Sequence, residues 1–79
     1  MSLEKLTLDK LKVGDKCKVK SIYFDSKVRR RLMDMGIVKG TNIEVEGKAP
    51  MGDPIEIRLR GYNLTLRKSE AKDIIVEHV

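Results

Sequence analysis

The side chains able to do chemistry in this 79-residue sequence are few, and their spacing keeps them apart. The one cysteine, Cys17, and the one histidine, His78, lie near opposite ends of the chain. A covalent catalyst needs its nucleophile within reach of an oriented base. No H-x-x-x-H, C-x-x-C, G-x-G-x-x-G or Walker spacing occurs. Cys17 shares strand phase with Val19 and reads as a small core hydrophobe. His78, next to last, reads as a frayed terminal residue. Glu44 and Glu46 would stand about 7 Å apart on one strand face. That spacing suits a carboxylate pair, but their alternation with Ile43 and Val45 reads as a solvated face. The expectation is a protein with no catalytic residues, no metal ligands and no cofactor, whose work is done by contact.

Three stretches could make that contact. On a helix over Val28–Met35, Val28, Leu32 and Met35 form an inward stripe at i, i+4 and i+7. Arg29, Arg30, Met33 and Asp34 then face outward, with Arg30 and Asp34 spaced to pair at i, i+4. Exposed methionine and arginine suit an adaptable protein interface. The second stretch is the loop Ala49–Pro54. Its prolines limit the entropy lost on binding, and Pro50, Met51 and Asp53 form its exposed part. The third is a lysine face, Lys16, Lys18 and Lys20, on a strand.

A net charge of +5, from 17 Lys and Arg against 12 acids, invites nucleic acid, an acidic protein or an anionic membrane surface. The charges are spread along the chain, which also serves solubility alone. Only Tyr23, Phe24 and Tyr62 are aromatic, and at least one is expected in the core. That is too few for a polyproline-binding groove or a base-stacking platform. No apolar run approaches the ~20 residues that span a bilayer. The N-terminus interleaves charge with leucine and lacks a signal-peptide core. With one cysteine and no internal disulfide, a cytoplasmic location is expected.

The elements that must position these residues are short. Leu8 and Leu11 follow Thr7, which can cap a helical turn. Lys16 to Tyr23 alternates, with Cys17, Val19, Ser21 and Tyr23 on one side. Ile22 is out of phase, so a bulge or the strand end is expected there. Asp25 or Ser26 can cap the helix, and Gly36 suits the left-handed position after it. Thr41–Lys48 and Ile55–Leu59 alternate as strands, separated by the proline loop. Gly61-Tyr62-Asn63 reads as a hairpin connection to a strand carrying Leu64 and Leu66. One helical turn over Ser69–Ala71, capped by Ser69, precedes a last strand over Ile74–Val76. Gly14-x-x-Cys17-x-Val19 and Gly40-x-x-Ile43-x-Val45 share one layout, a glycine turn feeding an alternating strand. The fold class is all-β: one domain over 1–79, a small barrel of about five strands with one short inserted α-helix.

Three blocks in register extend this reading: Arg30-Arg31-Leu32-x-x-Met35-Gly36-Ile37-x-x-Gly40-Thr41, Ala49-Pro50-Met51-Gly52-Asp53-Pro54, and Leu64-x-Leu66-Arg67-Lys68-x-Glu70-Ala71-x-x-Ile74. They span nearly the whole chain, which resembles the FeoA family of small cytoplasmic proteins of bacterial ferrous iron transport. The resemblance implies an SH3-like barrel. It also implies an accessory role on the cytoplasmic side of the FeoB permease, which carries a GTPase domain, with no nucleic acid and no membrane insertion. The same domain type ends iron- and manganese-dependent repressors, whose DNA-binding helix-turn-helix this chain is too short to contain. Two alternatives stand beside the adaptor: a basic nucleic-acid-binding barrel, and a metal-sensing domain related to those repressors. A homo-oligomer is compatible with the sequence.

Overall fold

The computed structural model describes residues 5–79; residues 1–4, the start of the charged N-terminus, lie outside the described residues. Five strands form one antiparallel sheet: β1 (Lys16–Ile22), β2 (Asn42–Lys48), β3 (Ile55–Leu59), β4 (Tyr62–Leu66) and β5 (Ile74–His78). Their spatial order is β4-β3-β2-β1-β5. A helix, α1 (Arg29–Asp34), connects β1 to β2, and a single turn, α2 (Lys68–Ala71), connects β4 to β5. A 3-10 turn over Leu8–Lys10 precedes β1. Thr7 stands at its start without capping it; the Thr7 hydroxyl donates to the Asp9 carboxylate instead.

The inward-facing aliphatic residues of all five strands meet Leu8, Leu11, Leu32, Ile37 and Ala71 in one core. Uninterrupted alternation makes β3 half-buried throughout, with Ile55, Ile57 and Leu59 inward. The outer edge of β5 is covered by the N-terminal segment, whose Leu6 carbonyl accepts from the Val76 N–H at 2.9 Å. Covering an edge in this way hides backbone groups that would otherwise recruit another strand.

The two glycine turns noted in the sequence clamp the β1–β2 pair reciprocally. Gly14 N–H donates to the Val45 carbonyl and Gly40 N–H to the Val19 carbonyl, each at 2.8 Å. Val45 N–H returns to Asp15 at 3.0 Å and Val19 N–H to Thr41 at 2.9 Å. Cys17 and Ile43 face each other at the centre. The shared layout is thus a local two-fold, in which each strand's entry turn is pinned by the other strand.

Five local expectations change. In β1 the register shifts between Val19 and Ser21, so Lys20 is the bulged residue. The strand ends at Ile22 as expected, but the bulge two residues earlier turns Ile22 into the core and leaves Ser21 and Tyr23, expected inward, outside. Helix α1 starts after Val28 with no side-chain cap; Ser26 Oγ accepts from Val28 N–H one turn earlier and donates to Asp73 at 2.6 Å. The β3–β4 turn is Arg60-Gly61, with Tyr62 and Asn63 already in β4. Helix α2 starts after Arg67, with Ser69 inside it; Glu70 supplies the capping contact by accepting from Arg67 N–H at 2.9 Å. All three aromatics lie outside the core, Phe24 at 91% exposure.

Helix α1 stops in a Schellman motif. Ile37 N–H bonds the Leu32 carbonyl and Gly36 N–H the Met33 carbonyl, each at 3.0 Å, with Gly36 at φ +96°. Ile37 and Leu32 both pack in the core, supplying the apolar contact that accompanies this stop. Tyr62 Oη donates to the Met35 carbonyl at 2.6 Å, and a Cβ on Gly36 would lie 2.9 Å from that oxygen. Gly36→Ala should therefore cost about 1–3 kcal/mol, combining left-handed strain with a disturbed hydrogen bond. Urea melts check this; a midpoint equal to wild type would refute it.

The β3–β4 turn makes a prediction of opposite sign. Arg60 and Gly61 have φ of 51° and 84°, so both central residues of the two-residue turn are left-handed, as in type I′. Arginine tolerates this poorly and asparagine well. Arg60→Asn should raise stability by about 0.5–1 kcal/mol. A melt showing no gain would count against this account of the turn.

Candidate functional site

The residues that chemistry would require stay apart in the fold. Cys17 is 0% exposed and inward in β1. Burial, then the nearby Asp15 carboxylate, push its thiol from an ordinary 9.0 up to about 11. His78 is exposed but paired opposite Cys17 within β5 rather than frayed. Glu44 and Glu46 are half-buried in β2, and among the described residues no group of three His, Cys, Asp or Glu could hold a metal ion.

The contact stretches are placed more informatively. Met33 keeps 40% of its surface exposed, and Arg29 and Arg30 are exposed beside it on α1. Arg30 and Asp34 form no ion pair. The one salt bridge among the described residues joins Arg31 Nη1 to Glu70 Oε2 at 2.8 Å. Glu70 is buried, and its other oxygen holds the Arg67 N–H, so both carboxylate oxygens are engaged. The basic run Arg29–Arg31 is thereby split, its third member committed to α2.

In the proline loop, Met51 is 85% exposed and Pro50 is exposed beside it. Asp53 has structural work: its Oδ1 accepts from Lys68 N–H at 2.9 Å at the start of α2. The loop closes on itself through Gly52 N–H to the Ala49 carbonyl at 2.7 Å. Helix α2 thus meets the loop through Asp53 and α1 through Glu70.

The lysine face divides. Lys16 stands opposite Glu44, and Lys18 opposite Glu77, in the strand registers. Lys20, displaced by the bulge, instead borders a groove of about 220 Å³ against the outer side of α1. Ile22, Met33 and Ile37 line it together with Lys20, Arg29 and Lys39. No histidine, cysteine or carboxylate is among its lining residues, so it offers binding surface and positive charge.

Two expected residues, Arg29 and Met33, therefore meet a third from the lysine face. Sequence reading missed Lys39 and Ile37, which follow the helix stop and reach the groove only because Gly36 reverses the chain. It also treated Phe24 as a lead-in to the helix, although an aromatic next to the Asp25-Ser26 turn signal has little around it to pack against.

The buried thiol gives a pH prediction. An unfolded chain loses the Cys17 proton near 9, whereas the folded chain keeps it until about 11. This contribution to stability is complete below pH 9 and is lost as pH rises toward 11, amounting to about 1–3 kcal/mol. Cys17→Ala should lose less stability than wild type between those limits in parallel denaturant titrations. Equal slopes would refute the assignment.

Comparison with known proteins follows this geometry closely. A family model described as the FeoA domain matches residues 6–78. The solution structure of a FeoA-like protein from Clostridium acetobutylicum is 59% identical, with a TM-score of 0.89, covering 100% of this chain and 91% of that one. The crystal structure of Stenotrophomonas maltophilia FeoA complexed with zinc is 30% identical, with a TM-score of 0.80, covering 91% of this chain and 89% of that one. It is described as a prokaryotic SH3 domain protein and a candidate ferrous iron transport activating factor. A curated fusion of Fe(2+) transport protein A with the Fe(2+) transporter FeoB, from Porphyromonas gingivalis, is 35% identical over 72 residues. That match covers 91% of this chain, which spans 8% of the fusion's length. The sheet described above is accordingly an SH3-like fold, and with the domain matched almost from end to end, the chain belongs to the FeoA family.

Proposed function

We propose that this chain is a non-enzymatic, cytoplasmic accessory protein of bacterial ferrous iron uptake, which docks on the cytoplasmic side of a FeoB-type GTPase-permease to regulate or assemble it. The observation that carries the reading is the relative in which transport protein A and FeoB form a single chain. Fusion holds two modules at high effective concentration, so even a weak contact stays occupied. Where the two are separate chains, the surface must supply that affinity itself. No helix among the described residues is long and apolar enough to cross a membrane, which fits a permease partner engaged from one side.

The alternatives have less support. A nucleic-acid site would use the arginine run as a continuous phosphate contact, yet Arg31 is held by Glu70. Direct metal sensing would use a clustered ligand set, and the described acids do not form one. The contact candidates on this reading are Arg29, Arg30 and Met33 on α1, and Pro50 and Met51 on the loop, with Asp53 shaping that loop.

The test uses native membranes. A tagged chain should co-purify the FeoB-type permease, and deleting its gene should lower radiolabelled Fe²⁺ uptake several-fold while leaving permease abundance measurable by immunoblot. Normal uptake in the deletion strain, together with no co-purification, would overturn the reading.

A further inference from the structure

We infer that the groove between α1 and the β1 bulge receives an acidic segment of the partner protein, with one apolar side chain of that segment seated on Met33. The inference rests on the docking reading above and adds the chemistry of the contact. Three observations carry it.

The first is charge. Lys20, Arg29 and Lys39 come from three separate parts of the chain and border one groove with no carboxylate among its lining residues. None of the three takes part in an ion pair among the described residues. Arg31 by contrast pairs with Glu70 at 2.8 Å, and Lys16 and Lys18 stand opposite Glu44 and Glu77 in the strand register, whereas no carboxylate lines this groove. Gathered like charges around a concave surface select a partner of opposite sign and speed its arrival.

The second is the floor. Ile22 and Ile37 are nearly sealed, and Met33 lines the same groove while staying 40% exposed. A flexible methionine can re-pack around an incoming side chain. The third is size. A groove of about 220 Å³ lies below the roughly 300 Å³ at which small-molecule pockets begin, so it suits one side chain of a peptide better than a cofactor. With no aromatic side chain in the lining, a nucleic-acid base has nothing to stack on, while the apolar floor suits an aliphatic side chain.

The probe is a synthetic nonapeptide with a central leucine flanked by glutamates, titrated into the isotopically labelled full chain and followed by amide NMR. Shifts should concentrate at residues 20–22, 29–33 and 37–39. Binding should weaken with salt, since screening lengths fall to about 8 Å at physiological ionic strength. Met33→Asp should weaken binding about tenfold or more by placing a carboxylate on the apolar seat. If Met33→Asp disturbs the fold, Met33→Gln, a good helix former, replaces it. Lys20→Glu with Lys39→Glu should also cost about tenfold. Shifts centred elsewhere, or tighter binding of a poly(dT) oligonucleotide to the same residues, would overturn the inference.

The same variants are then carried into the permease co-purification. Capture by wild type that survives both variants overturns the groove while leaving permease docking intact. Groove binding of the peptide with no permease capture by wild type overturns the docking reading instead.

Discussion

The reciprocal clamp between β1 and β2 is the constraint on which the other elements depend. Each strand enters from a glycine turn whose N–H is held by the middle of its neighbour, Gly14 by Val45 and Gly40 by Val19. Four backbone hydrogen bonds thus fix both ends of one strand pair, while Cys17, Val19, Ile43 and Val45 are driven into the core between them. The chain leaves β1 and returns to β2 at one end of this clamp. The intervening segment has to be a compact excursion, and a six-residue helix with a sharp stop satisfies that. The β1 bulge lies at the same end, immediately after Val19, so the clamp also decides where Lys20 emerges. The groove is a by-product of this geometry: a bulged strand, a short helix and a turn all obliged to meet at one corner.

Helix α2 joins the two contact stretches that were nominated separately. It is too short to be stable by its own hydrogen bonds. It is held at its start by Asp53 from the loop and by the inward carboxylate of Glu70, which in turn takes Arg31 from α1. A buried carboxylate is tolerable when each oxygen is matched by a donor, as here. The exposed guanidinium contributes modestly by itself; its larger effect is to remove one arginine from the basic run and orient the rest of α1.

What could be read from the sequence follows a physical dividing line. Strand β3 was legible because its alternation is unbroken, and the end of α1 because glycine follows the last apolar residue. Met33 was legible as outward because helical phase is a local property. The β1 register was not, since a bulge leaves no signature beyond one residue out of step, here Ile22. The β3–β4 turn reads from sequence as Gly61-Tyr62-Asn63 rather than Arg60-Gly61 because an arginine occupies a left-handed position that glycine or asparagine usually marks. Glu70 was illegible as a buried partner because its donor, Arg31, is 39 residues away. The groove was only half legible for the same reason: Arg29 and Met33 lie on one element, but Lys20 and Lys39 join them only in three dimensions.

The hydrogen bond from Tyr62 to the Met35 carbonyl has a spectroscopic consequence. The chain has no tryptophan and two tyrosines. Its near-ultraviolet signal therefore comes mainly from two phenols, and one of them is fastened to the backbone where α1 ends. Phenol absorption and emission respond to what the hydroxyl donates to. A partner that displaces the end of α1 alters that donor's geometry, while Tyr23, beside the Lys5 ammonium at 5.7 Å from its ring, reports from another part of the surface. The fold thus carries an intrinsic optical gauge of its helix, one that requires no label.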